Sequence, residues 1–337
     1  MPFTSSRNVS RRSAVTMLGA VSLTACDQQR GTHWDLSQPW GPREFHVLDA
    51  QRFASEANRI TNGELTIHVN PGAVLGIKGP DTMRAIEEGI VDMADASSFQ
   101  QVGTEPILGL ESLPYLVETI DELATLYSII RPAVDAAYVR HGMRVMYIAP
   151  WPNQCFYFSK PINSVADMRG LKMRTYDKLS TDLVRGLTMT PVQMPTTDVV
   201  AALAAGTLDA VMTSTTTAVA QKYWDFLKYT FRSNHTWSST IMAVNEQSLM
   251  RLSPAHREGI LALAKELEPQ FWAISRSDDL DKLKVLEANG MITQEPSPDL
   301  MAAMRAEAKP IVEAYIQQVP ESGPLIDQFL AAVGRKA

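Results

Sequence analysis

Residues 160–217 read KPINSVADMRGLKMRTYDKLSTDLVRGLTMTPVQMPTTDVVAALAAGTLDAVMTSTTT. From Leu171 to Tyr176, Leu, Met and Thr alternate with Lys, Arg and Tyr, which is the period of two of a β-strand. Ser180–Leu187 reads as a short helix, Thr190–Gln193 as a second strand, and Val199–Ala205 as a helix stopped by Gly206. Thr207–Met212 is a third strand that empties into the hydroxyl row Thr213–Thr217. The order β-α-β-α-β calls for a parallel sheet with helical crossovers. Ligands collect at the carboxyl ends of such strands. Arg174 lies near one of these ends and Thr213–Thr217 follow another, so both are candidate site residues.

Outward from this stretch, the same grammar recurs towards the N-terminus. Trp34–Ser37 is a strand, Glu44–Ile60 a helix and Glu64–Val69 a strand; Asp81–Glu88 is a helix closed by Gly89, and Val91–Ala96 a strand that ends in Ser97–Ser98–Phe99. Ala85–Ala94 echoes Ala202–Val211 at an offset of 117 residues: helix end, Gly, one residue, then an Asp-bearing strand. Two similar helix-to-strand turns can coincide by chance. The alternative is a pair of similar α/β lobes facing one cleft, with Ser97–Ser98 from one and Thr213–Thr217 from the other. Thr119 and Glu122 form a capping box for a helix that Pro132 is expected to interrupt. Arg144–Ala149 is a strand, and Pro150–Asn153 reads as the crossing into a second lobe. Ala220–Tyr229 is expected to be helical, and Thr236–Val244 a strand carrying the chain back. Ser253–Pro254 opens a long helix reaching Asn289–Gly290, with a kink expected at Pro269, and Pro298–Val319 and Leu325–Val333 are terminal helices.

The chain has 337 residues, 45% of them hydrophobic, with formal charge −6, enough for a two-lobed globular protein. Residues 1–25 hold Arg7, Arg11 and Arg12 and no acid, so the remainder carries 37 acidic residues against 28 basic ones. That balance argues against a nucleic-acid partner. It does not argue against an anionic ligand, because one buried arginine outweighs distant surface charge screened by salt. Residues 1–25 read as a signal peptide, basic then apolar, ending in Leu23–Thr24–Ala25–Cys26, which resembles a bacterial lipobox with Cys26 as the lipidated residue. An ordinary secretory peptide cleaved nearby is the alternative. Ser10–Arg11–Arg12 is weakly similar to a twin-arginine signal, and either route exports the chain. With Cys26 lipidated, Cys155 has no partner, and its strand context predicts a buried inert thiol rather than a catalytic one.

Three spaced motifs resemble those of the substrate-binding proteins of tripartite ATP-independent periplasmic (TRAP) transporters, the DctP-type solute receptors. They are Asp167–Met168–Arg169–Gly170–Leu171–Lys172–Met173–Arg174, then Pro191–Val192–Gln193–Met194–Pro195, then Ala202–Leu203–Ala204–Ala205–Gly206–Thr207–Leu208–Asp209. Asn62–Leu65, Leu75–Gly76, Gly89–Ala94, Leu113–Leu116, Lys222–Trp224 and Asn234–His235 extend the likeness across nearly the whole exported part. The resemblance implies an α/β, two-lobed periplasmic-binding-protein fold with a ligand cleft between the lobes and a long helix spanning both. Lobe I is expected over 31–151 plus 239–279, and lobe II over 152–238 plus 280–337. The family's arginine at the position of Arg174 holds a ligand carboxylate, and a guanidinium fork suits that group with two parallel charge-assisted bonds. The alternative is an ion pair with an acid such as Asp177.

Some members of that family carry a second arginine where this chain has Asn153, and many an asparagine where it has Thr213. These departures weaken the case for a doubly clamped dicarboxylate or sialic-acid-like ligand and favour a monocarboxylate, aromatic or keto, over a sugar acid. Trp40, Trp151, Trp237 and Phe99 are expected as aromatic walls, or else as core packing. Asn153, Gln154, Ser98, Thr213 and Ser214 are expected as polar ligand-binding residues. Neither G-x-S-x-G nor H-E-x-x-H nor a P-loop occurs, and the six histidines show no metal-ligand spacing. No cofactor is expected; a ligand-bridging metal, known in some members, stays open. The expected function is a periplasmic, non-enzymatic receptor that delivers an organic acid to membrane permease subunits, anchored by lipid or free. A periplasmic enzyme on a small organic acid and a receptor for a signalling protein are the alternatives.

Overall fold

A computed structural model describes residues 31–335, so the expected signal peptide and Cys26 lie outside the described residues. The strands are β1 (Thr32–Ser37), β2 (Leu65–Asn70), β3 (Met93–Asp95), β4 (Met143–Pro150), β5 (Cys155–Phe158), β6 (Lys172–Thr175), β7 (Thr190–Gln193), β8 (Ala210–Thr213), β9 (Tyr229–Phe231), β10 (Ser239–Asn245) and β11 (Ile292–Gln294). The helices are α1 (Phe45–Ile60), α2 (Thr82–Glu87), α3 (Ile120–Arg140), α4 (Val165–Met168), α5 (Lys178–Gly186), α6 (Val199–Ala204), α7 (Thr215–Ala220), α8 (Glu246–Met250), α9 (Pro254–Ala288), α10 (Pro298–Gln318) and α11 (Ser322–Ala332).

The strands form two mixed sheets, ordered β2-β1-β3-β10-β4 and β11-β9-β5-β8-β6-β7. Each contains three parallel strands, β2-β1-β3 in one and β7-β6-β8 in the other. An antiparallel strand, β10 or β5, flanks each trio. Both flanking strands are buried on both faces, and their side chains alternate between two cores. Ile241 and Ala243 of β10 face one apolar cluster and Met242 and Val244 the other. Phe156 and Phe158 of β5 likewise oppose Cys155 and Tyr157.

The internal echo is a structural repeat. Asp92 and Asp209 occupy equivalent places, each pairing through its backbone N–H with the first strand's carbonyl, Asp35 O at 3.2 Å and Lys172 O at 2.9 Å. Each carboxylate also accepts the neighbouring strand's N–H, from Asp35 at 3.1 Å and from Lys172 at 2.9 Å. The glycines before them, Gly89 and Gly206, have φ of 68° and 67°, left-handed geometry that a Cβ disfavours. A Cβ on Gly206 would meet nothing within 4 Å, so its cost is conformational alone. Gly206→Ala should lower the unfolding free energy by about 1–2 kcal/mol, and Gly206→Asn by less, since asparagine tolerates this region. Urea unfolding of the two variants checks the order.

Helix α9 starts where expected, with the Ser253 hydroxyl accepting from His256 N at 3.2 Å, and spans both halves. Ile260, Leu263, Leu267 and Phe271 pack into the first sheet's layer, while Leu286 lies in a core of the second. Its 35 residues span roughly 50 Å.

Three local expectations are corrected. Helix α3 runs through Pro132, because one lost hydrogen bond is outweighed by Tyr127, Ile130, Val134 and Tyr138 buried along one face. The helix expected over Ala220–Tyr229 instead occupies Thr215–Ala220, capped by the Ser214 hydroxyl and followed by left-handed Lys222. Tyr229–Phe231 is a strand, drawn in by pairing with β5 and with the unforeseen β11. The last helix, α11, buries Ile326 and Phe329 in the same core as α3.

Candidate functional site

The carboxyl ends of β1, β3, β6, β7 and β8 all lead to two adjoining chambers that share lining residues. The outer one, about 290 Å³, lies between Trp40, Lys78 and Gln100 on one side and Tyr176, Gln193 and Thr196 on the other. The inner one is about 20 Å³ and adds Phe99, Trp151, Gln154, Thr213, Ser214 and Ser238. Arg174, Trp40, Tyr176 and Thr196 border both.

Arg174 leaves the strand β6 at its carboxyl end and is 4% exposed. Its Nε donates to Met194 O at 3.2 Å, Nη1 to Met212 O at 3.0 Å and Nη2 to Thr196 Oγ1 at 3.0 Å. No described carboxylate forms an ion pair with it. Asp177, the acid proposed as its partner, caps α5 by accepting from Ser180 N at 2.7 Å. Burial pulls the guanidinium's pKa down, so the fold holds a cation at a desolvation cost that it does not neutralise itself. Three bonded N–H groups leave one N–H on each of Nη1 and Nη2, the pair that a carboxylate accepts side by side. The guanidinium also lies 5.4 Å over the Tyr176 ring.

Around it stands an aromatic wall drawn from both sheets. Trp40 meets Trp151 edge-on at 4.8 Å and Phe99 at 6.3 Å, and Phe99 meets Tyr176 edge-on at 5.1 Å. The Trp40 indole N–H donates to Asp95, which also accepts from Ser97 Oγ at 2.6 Å and Thr240 Oγ1 at 3.1 Å. Burial pushes the Asp95 carboxyl up to about 6 despite these donors. Beyond it, Glu44 and Asp49 at the start of α1 are also buried and pushed up to about 8. The hydroxyl row divides its labour. Thr213, Ser214 and Thr217 face the inner chamber, while Thr215 donates to Asp279 of α9 at 2.8 Å and Thr216 to Asp278.

Seven of the expected site residues therefore converge: Arg174, Trp40, Phe99, Trp151, Gln154, Thr213 and Ser214. Three do not line the cavity. Trp237 is buried in the first core with its indole N–H on Val117 O at 3.1 Å, because its neighbour Ser238 takes the inward side of the chain. Ser98 turns away to Glu111, a buried carboxylate that also accepts from Ser239 N at 2.8 Å. Asn153 is buried but lines neither chamber. His235 stacks on Phe156 at 4.3 Å and bonds Ser233 Oγ at 2.6 Å; burial holds its pKa down to about 3. Cys155 is fully buried and its thiol is pushed up to about 12, an inert side chain. Tyr176, Thr196 and Ser238 are lining residues that the sequence reading missed. Thr196 directly follows the Pro191–Pro195 motif, which was the available signal.

Known proteins bear on this arrangement. The 2,3-diketo-L-gulonate-binding periplasmic protein YiaO of Escherichia coli K12 is 24% identical over 287 residues, covering 83% of this chain and 85% of its own. An extracytoplasmic solute receptor of Bordetella pertussis that binds pyroglutamic acid, DctP7, is 24% identical with a TM-score of 0.86, over 89% of this chain and 99% of that one. A marine metagenome TRAP solute-binding protein specific for pyroglutamate is 26% identical with a TM-score of 0.85, over 90% and 99%. Residues 36–318 match the model for bacterial extracellular solute-binding protein family 7, DctP. The chain is a member of that family, the solute receptors of TRAP transporters.

Proposed function

We propose that the chain is an exported receptor for a small organic acid whose carboxylate is held by Arg174, and that it delivers this acid to a TRAP permease. The observation that carries this reading is a buried guanidinium without a described carboxylate partner, with one N–H on each Nη left over, at the carboxyl ends of strands facing a cavity of suitable size. The names of the relatives support the ligand class: pyroglutamate and 2,3-diketo-L-gulonate are both carboxylates. The sugar-acid reading is kept as second on the strength of the latter. Chain residues 152–238 with most of 280–337 would close on 31–151 with 239–279, burying the carboxylate–Arg174 pair and strengthening it by excluding water. Ligand favours the closed form only through contacts made there and not in the open one. Anchoring at Cys26 would hold the receptor at a membrane; among the described residues no helix is long and apolar enough to cross one.

The test is thermal and urea unfolding of the chain from residue 27 onward with a panel of acids and their neutral amides. The panel contains L-pyroglutamate, D-glucuronate, L-gulonate, L-lactate and pyruvate. A ligand at 100 times its Kd stabilises by about 2.7 kcal/mol. Stabilisation by acids and not by the matching amides is expected. Equal stabilisation by the amides, or none by any acid, would overturn the reading.

A further inference from the structure

We propose that Asp95, which lines neither chamber, is a positioning residue for the ligand and acts by fixing the Trp40 indole as the partition between the two chambers. This rests on the receptor reading and deepens it. Asp95 is the last residue of β3 and is fully buried. Among the described residues no cation pairs with it. One Oδ accepts from Ser97 Oγ at 2.6 Å, the other from the Trp40 indole N–H and from Thr240 Oγ1 at 3.1 Å. Ser97 and Thr240 do not require a carboxylate, because a hydroxyl rotates and can accept as well as donate. An indole N–H only donates, in the one direction that the ring fixes. Of the three donors, Trp40 is therefore the one whose conformation the carboxylate decides.

Trp40 is buried and borders both chambers, and its backbone carbonyl is held by the Gly72 N–H at 2.7 Å. Its ring meets Trp151 edge-on at 4.8 Å and Phe99 at 6.3 Å, contacts that aromatic rings make in more than one orientation. Trp151, the other indole of the wall, has no described partner for its N–H. Of the two indoles, only Trp40 is pinned by a hydrogen bond. Without the carboxylate its N–H is left unpaired in a dry site, and the ring gains by turning that edge towards the chambers, where water supplies an acceptor. Such a turn reshapes the space beside Arg174, which borders the same two chambers. The fit of the ligand changes while the anchor itself stays in place.

The experiment is calorimetric titration of the chain from residue 27 onward with L-pyroglutamate, L-gulonate and D-glucuronate, unsubstituted and as Asp95→Ala and Asp95→Asn. Urea midpoints confirm that each variant folds; Asp95→Leu, which fills the volume without an acceptor, replaces an alanine variant that does not. Asp95→Ala is expected to weaken the tightest of the three acids about tenfold or more, and Asp95→Asn, whose Oδ1 still accepts from the indole, by about threefold or less. Near-ultraviolet circular dichroism of the ligand-free protein gives a reading that a merely structural role would not move. The change produced by Asp95→Ala is expected to disappear when it is made in a Trp40→Phe background. Affinity kept within about threefold in Asp95→Ala, an equal loss in Asp95→Asn, or a dichroism change that survives in the Trp40→Phe background overturns this inference, while binding of an acid by the unsubstituted protein keeps the receptor reading. Silence of the unsubstituted protein towards all three acids overturns both.

Discussion

Arg174→Ala abolishes measurable binding of the receptor's acid, weakening it by more than about 100-fold. Removing one partner of a buried, hydrogen-bonded charge pair costs about 2–5 kcal/mol, and about 1.4 kcal/mol is tenfold in affinity. The value belongs at the upper part of that range because the cation is nearly sealed from water and meets no described carboxylate that could substitute for the ligand. Arg174→Lys should fare little better. An ammonium keeps the charge but cannot reach Met194 O, Met212 O and Thr196 Oγ1 together and still offer two parallel N–H groups. The ligand-free Ala variant should stay folded: it leaves two backbone carbonyls short of a donor, but it also removes a cation whose burial is unfavourable. Titration calorimetry beside urea unfolding separates the two effects. Affinity retained within about threefold in either variant would mean that the anchor lies elsewhere.

The legible part of this protein was the part written in periodicity and in backbone punctuation. The repeat of Ala85–Ala94 and Ala202–Val211 could be read because the glycine cap and the strand-edge aspartate are each dictated by local backbone geometry. Arg174 was found because a strand alternation places it at a carboxyl end and a family motif surrounds it. What escaped depends on the far partner. The hydroxyls after β3 read as inward, yet the buried Glu111, 13 residues on, turns Ser98 away from the cavity into the protein interior. Residue size points to Trp237 rather than Ser238, whereas the strand's parity, set by pairing of Ser239 with Pro150, decides which of the two faces the cavity. The strand β11 has three residues and no periodicity to read. It exists because β9 offers it an edge. Thr196 carries no signal beyond its place after a motif, and its importance comes from Arg174 Nη2.

The second large effect is on stability: the ligand-free protein should lose about 2–3 kcal/mol of unfolding free energy between pH 6.5 and pH 8. Glu44 and Asp49 are pushed up to about 8 from ordinary values of 4.5 and 3.8, chiefly by burial; Asp95 and Asp278 add to it for Glu44, and Asp278 adds to it for Asp49 against the opposing Arg52. An acid whose folded pKa is raised keeps its proton in the fold at a pH where the unfolded chain has released it. The unfolded state then binds fewer protons, so stability falls as pH rises until the folded pKa is passed. At about 1.4 kcal/mol per unit, most of a 1.5-unit rise counts for each group, roughly 1–2 kcal/mol apiece. Asp95 and Asp177, at about 6, are already largely ionised in both states across this window and add little. His46 and His235 are held down to about 3 by burial, so below their ordinary 6.5 the unfolded chain takes up protons that the fold does not. Their contribution has the opposite sign: it flattens the curve on the acid side of 6.5 and, because the unfolded imidazoles are still half protonated at 6.5, returns somewhat less than about 1 kcal/mol in the lower part of the window. Glu44→Gln, which removes one titration and keeps the shape, should cut the slope between 6.5 and 8 by half or more and raise stability at pH 8. Urea unfolding followed by tryptophan fluorescence at the two pH values reads both. Stability that is level or rising from 6.5 to 8 would show that these two carboxyls are ionised in the fold, compensated by a contact the geometry does not contain.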